Sequence, residues 1–112
     1  MFSFFVWETV NIPMLLIGKD DETGILNDCK DVVISFYQQG FLLEFYKDDA
    51  NVGIDVENDK LNVYLGQEQT GMFKPDVIIT VQVNVLYENA ERNTTCTGAI
   101  RPLANLHRKI MR

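Results

Sequence analysis

Apolar and polar positions alternate with a period of two along most of this chain, and no helix-length stretch with a period near 3.6 occurs before residues 101–112. Leu61, Val63 and Leu65 alternate with Asn62, Tyr64 and Gly66; Val52, Ile54 and Val56 alternate with Gly53, Asp55 and Glu57. Each segment has one apolar face, as a half-buried strand requires. The longest run sets Val77, Ile79, Val81, Val83, Val85 and Tyr87 against Ile78, Thr80, Gln82, Asn84, Leu86 and Glu88. Its β-branched richness predicts a central strand. Val32, Ile34 and Phe36, then Phe41, Leu43 and Phe45, supply two more inward faces; Gln38-Gln39-Gly40 is the tight turn that joins them into a hairpin. Pro13 sits inside the first apolar run and has no N–H for a sheet ladder, which places that run on an edge strand.

Turn-forming residues fall between these runs, at Lys19–Gly24, Lys47–Asn51, Glu57–Lys60, Thr70–Asp76 and Glu88–Asn93. About seven strands spaced in this way predict an all-β chain, a single immunoglobulin-like β-sandwich. Its expected core is Ile34, Phe36 and Leu43, with Leu61, Val63 and Leu65 and with Val81, Val83 and Val85. The sandwich domain is assigned to residues 1–101. Residues 102–112 change character: Leu103, Leu106 and Ile110 fall at i, i+3 and i+7 behind Pro102, which predicts a short amphipathic helix or an extended tail. So short a helix holds in water only by docking on its own domain or on a neighbour.

Charge sharpens the division. All acidic side chains lie in residues 1–91, whereas residues 92–112 carry Arg92, Arg101, Arg108, Lys109 and Arg112 and no acid. With a net charge of −6, the acidic body repels nucleic acid, and one short basic tail offers too few phosphate contacts for tight binding. No apolar run reaches the roughly 18 residues of a membrane span. Met1 to Glu8 lacks a cationic n-region, which points to folding in a reducing cytoplasm. Cys29 and Cys96 have the separation of an inter-sheet disulfide, but the tryptophan expected between them is missing, because the only Trp is Trp7. Free, partly buried thiols are the better reading.

Candidate chemistry is sparse. The single histidine, His107, sits in the basic tail, and Ser3, Ser35, Cys29 and Cys96 have no base beside them in sequence. Asp55-Val-Glu57-Asn-Asp59 begins like a calcium loop, but Lys60 stands where glycine is needed and Gly66 where the closing glutamate is needed. Asp20, Asp21 and Glu22, like Asp48 and Asp49, read as solvated acidic turns. No phosphate-cradling loop is present, and Asn93-Thr94-Thr95 reads as a chance match to a glycosylation pattern. The expectation is therefore a protein that is not an enzyme, with no catalytic residue, no metal site and no cofactor.

An excess of aromatic residues remains. Phe2, Phe4, Phe5 and Trp7 crowd the N-terminus, and Tyr37, Tyr46 and Tyr64 fall on outward strand faces. They are either additional core, with the N-terminus clamped onto a sheet, or a contact surface for a partner chain. In the second case the partner-binding residues are Phe2, Phe4, Phe5 and Trp7, together with Leu103, Leu106, Arg108, Lys109 and Ile110 of the tail.

Several segments carry a resemblance. Asn11–Lys19, Asp31–Gly40, Leu61–Phe73 and Val81–Tyr87, closing on Asn105-Leu106 and Lys109-Ile110, resemble small immunoglobulin-like structural or accessory proteins of tailed bacteriophages and prophages of Gram-positive bacteria. The most specific element is a strand followed by Gln67-Glu68-x-Thr70-x-x-Phe73 and a second strand. Read physically, Gln67, Glu68 and Thr70 satisfy the backbone of a crossing turn while Phe73 plugs the end of the sandwich. The aromatic stretch Met1–Trp7 departs from the family pattern. The resemblance implies a virion component, a head decoration, fibre-base, tail or baseplate adaptor protein. It would be assembled in the host cytoplasm and used in several copies or as a homo-oligomer, with other virion subunits as partners and neither nucleic acid nor membrane bound. The alternative is a carbohydrate-binding β-sandwich module for attachment to a host surface.

Overall fold

The computed structural model of the chain describes residues 2–17 and 22–112, and of Cys96 and Thr97 the backbone alone. Of the turn expected at Lys19–Gly24, residues 19–21 lie outside the described residues. Strands make up 52% of the chain and helix 4%, so the class is all-β, and two sheets pack face to face as a sandwich-like globule. Eight strands and one helical turn occur among the described residues: β1 (Phe2–Phe5), β2 (Val10–Leu15), β3 (Cys29–Gln38), β4 (Phe41–Tyr46), β5 (Val52–Asp55), β6 (Lys60–Leu65), α1 (Gln67–Thr70), β7 (Ile79–Tyr87) and β8 (Arg92–Leu103). One sheet has the order β1-β8-β7-β3-β4, the other β2-β6-β5. Pro13 lies on β2, an edge strand, as its missing N–H demands.

The alternation builds the core directly. Val32, Ile34 and Phe36 on β3 stand opposite Val85, Val83 and Val81 on β7, and all six are buried. From the second sheet Ile12, Met14, Leu61, Val63 and Leu65 close onto them. Leu43 is only half-buried, since β4 is an edge strand, and Val56 is exposed because β5 ends at Asp55 and residue 56 already belongs to the turn. The β3–β4 hairpin turns at Gln39-Gly40 with both φ angles positive, 39° and 83°, the geometry of a two-residue loop that suits strand twist.

The crossing from β6 to β7 passes through α1. Thr70, wholly buried, donates its hydroxyl to the Glu8 carbonyl at 2.7 Å, and Gln69 accepts the Gly66 N–H at 2.9 Å. Phe73 then plugs the sandwich end, its ring tilted against Phe4, Phe36 and Phe41 at centroid distances of 5.4–6.5 Å. The expected roles shift by residue: Thr70 and Phe73 hold the crossing, Gln69 replaces Glu68, which is exposed, and Gln67 reaches elsewhere.

Cys29 is a free thiol. Cys29 pairs with Tyr87 and Cys96 with Gln82, so both cysteines belong to one sheet, separated by five positions along β7, about 16 Å at the strand rise. That register excludes an inter-sheet bridge between them.

Candidate interaction surface

Of the two forms expected for residues 102–112, a short helix or an extended tail, the helix does not form, because the sheet claims its beginning. Phe4 pairs with Pro102 and Phe5 with Leu103 as β1 runs parallel to β8. Pro102 is buried and its carbonyl accepts the Asp76 N–H at 2.7 Å, while the Leu103 carbonyl accepts the Val6 N–H at 2.9 Å. The sandwich therefore extends through Leu103, two residues past the boundary drawn at 101. Ala104–Arg112 has neither helix nor strand. Nine residues are too few to nucleate a helix without packing.

Among the described residues one side chain tethers this tail. The Gln67 carboxamide accepts the Met111 N–H at 2.7 Å and donates to the Met111 carbonyl at 2.9 Å. Both bonds are exposed and engage only backbone. Leu106 is fully exposed at 104%, Met111 is 70% exposed and Ile110 40%. Leu103, Leu106 and Ile110 do not form one docked face. The tail cations Arg108, Lys109 and Arg112 make no ion pair among the described residues, where the single pair is Arg101 with Asp76 at 3.7 Å, itself largely in water and weak.

At the other terminus the structure divides the aromatic cluster. Phe4 is a core residue, 2% exposed, with its ring edge-on to Phe73. It is not available to a partner, which corrects its assignment as a contact residue. Phe2 and Trp7 are half-buried and pack on the core. The Trp7 indole lies so close over Gly71 that a Cβ there would meet it at 2.4 Å. Phe5 alone of the four is exposed, at 48%. Burying a strand's alternate aromatics is the plainer of the two outcomes the sequence allowed.

A second exposed zone lies on the outer face of the five-stranded sheet. Tyr37 and Leu42 are cross-strand partners there, Tyr46 stands opposite Val33, and Ser35 donates to Glu44 at 2.7 Å between them. A groove of about 390 Å³ beside Tyr46 is lined by Asp31, Val33, Glu44, Asn84, Leu86 and Arg92. Tyr64 is exposed on the opposite sheet.

Two further buried polar side chains went unrecognised in the sequence. Gln38 donates to the Lys74 and Val77 carbonyls, both at 2.8 Å, and accepts the Lys74 N–H at 2.7 Å. Asp59, in a left-handed conformation with φ of 53°, accepts the Gly24 N–H at 2.9 Å through Oδ2, while its buried Oδ1 has no partner among the described residues. The signals were faint: an Asn-Asp turn and a Gln-Gly hairpin end. Tyr87 donates to the Ile25 carbonyl at 2.6 Å, and burial raises its pKa above the usual phenol value.

Among the described residues no group of three His, Cys, Asp or Glu side chains is placed to hold a metal ion. His107 is exposed in the tail. Among the described residues no helix is long and apolar enough to cross a membrane. No protein-family model matches the chain, and no curated protein matches it.

Proposed function

We propose that the chain is a non-enzymatic structural protein of a tailed-phage virion, an immunoglobulin-like sandwich that works by binding other protein subunits in a multi-copy assembly. The observation that carries the reading is the tail. An ordered sandwich ends in nine residues held by two exposed hydrogen bonds, with Leu106 wholly in water and three cations unpaired among the described residues. Burying a leucine is worth roughly 1.5–3 kcal/mol, so such a segment gains most of its stabilisation from a surface on another subunit. The choice of a phage particle rests on the resemblance in Asn11–Lys19, Leu61–Phe73 and Val81–Tyr87. Assignment to the virion, and assembly in the host cytoplasm, follow from it.

The test is a chain ending at Leu103. Ending it at 101 would strip Pro102 and Leu103, whose carbonyls anchor Asp76 and Val6. The shortened protein is expected to melt like the parent and to be lost from particles; full incorporation of the folded, shortened protein would refute the role of the tail. Carbohydrate binding is a second reading, favoured by Tyr46 beside the polar groove with Asp31, Glu44, Asn84 and Arg92. A glycan array probed with the parent and with Tyr46→Ala decides it, since binding that requires Tyr46 supports the module and an empty array opposes it.

A further inference from the structure

The sandwich has four sheet edges, and three are blunted. β2 carries Pro13; β5 is four residues long and ends in Asp55; β1 is also four residues long, and its Phe5 N–H is taken by the Glu8 carboxylate at 2.7 Å. The fourth edge, β4, is capped only at its Tyr46 end, where Asp49 takes the N–H, and carries one charge, Glu44. It runs Phe41-Leu42-Leu43-Glu44-Phe45-Tyr46 without proline, lysine or bulge. Lys47 N–H bonds the Val32 carbonyl, so odd positions of β4 face β3 and even positions face away. At Tyr46 the outward pair is used by the Asp49 turn. At Leu42 and Glu44 the outward N–H and C=O point to solvent, ready for one more strand.

The chemistry around this edge names the strand. Leu42, Tyr37 and Tyr46 are 55%, 51% and 46% exposed beside it, and Glu44, Asp48 and Asp49 give it negative charge. The tail has the complementary set: no regular structure, exposed Leu106 and Met111, and the cations Arg108, Lys109 and Arg112. The tail leaves β8, next to the β1 edge, and β4 is the edge across the same sheet. We infer that the C-terminal tail of one copy adds as a strand to the β4 edge of a second copy, releasing the Gln67 tether as it does so. The contact is head-to-tail, so it closes as a reciprocal exchange between two copies, closes as a larger ring, or propagates as a filament. It rests on the assembly reading above and specifies the partner.

Two full-length variants, each with one defect, test this. Leu42→Pro removes the outward donor of the receiving edge without touching a β3–β4 hydrogen bond. Leu42→Lys is a second edge variant that keeps the backbone and places a cation against the tail. The tail variant is Leu106→Asp with Arg108→Glu and Lys109→Glu. In sedimentation velocity the parent is expected to form species that grow with concentration, and each variant alone to stay monomeric with the parent's melting curve. An edge variant mixed with the tail variant should give a 1:1 dimer, because one intact edge then meets one intact tail. A monomeric parent, assembly of the tail variant on its own through paired β4 edges, or the absence of dimer in the mixture would each overturn the inference. If these results come with normal incorporation into particles, exchange between copies fails and assembly with other subunits stands.

Discussion

Gln38 is the side chain on which the order of the β3–β4 hairpin end and the 74–77 loop converges. It is 2% exposed, and its carboxamide makes three hydrogen bonds to the backbone of that loop, at 2.7–2.8 Å. Gln38→Leu keeps the volume and removes all three, leaving the Lys74 N–H and the Lys74 and Val77 carbonyls without partners. At about 1 kcal/mol net for each bond, and with part of that loss offset by the leucine's burial, the cost is about 2–3 kcal/mol. For a domain of this size that lowers Tm by roughly 10–20 °C. Gln38→Glu refines the argument. Its carboxylate can still accept from Lys74 N–H but faces two carbonyl oxygens, which raises its pKa in the folded state. Relative to the parent, the variant then keeps most stability below about pH 4, the unfolded glutamate value, and loses it as pH rises through the raised folded value. Urea denaturation of parent and variants at several pH values measures both. A loss under about 0.5 kcal/mol for Gln38→Leu, or a pH-independent loss for Gln38→Glu, would refute this account of the loop.

Val83 is wholly buried between β3 and β8, so Val83→Asp should cost several kcal/mol and leave the chain unfolded by circular dichroism; an unchanged Tm would mean the β7 facing is wrong. Tyr87→Phe loses the bond to the Ile25 carbonyl and about 1 kcal/mol. Because burial raises the Tyr87 pKa, its stabilisation is complete below about pH 10 and disappears as pH climbs through the higher folded value. The parent should therefore lose stability more steeply than Tyr87→Phe above pH 10 in denaturant titrations, and parallel curves would contradict this. Cys29→Ser with Cys96→Ser should melt within about 1–2 kcal/mol of the parent, with or without reductant; a large drop that reductant reproduces in the parent would establish a disulfide.

The strands were legible because this fold buries one face of each sheet, so a period of two is written into β3, β6 and β7 with little interruption. The Gln39-Gly40 turn was legible because a two-residue hairpin requires positive φ at both positions. Of the two forms expected for the tail the helical one fails, because the apolar spacing of Leu103, Leu106 and Ile110 fits a helix only if Leu103 is free. Its backbone is instead committed to β1, a pairing ninety-odd residues distant in sequence that no local pattern records. Phe4 was assigned to a partner for the same reason: its buried face becomes visible only once β1 is seen against β8. Gln38 and Asp59 act through partners in loops that adjoin them only in the folded chain, so their residue types alone suggested ordinary turns. The tether between Gln67 and Met111 uses backbone atoms of the tail and so leaves no trace in the sequence.

A cryo-EM map of a particle that contains this protein is the most direct test of assembly through the tail. The account predicts that density for residues 104–112 leaves its own sandwich at Leu103 and continues onto a neighbouring subunit, with Leu106 covered. Density that turns back to Gln67 of the same chain, with Leu106 still facing solvent in the assembled particle, would contradict it.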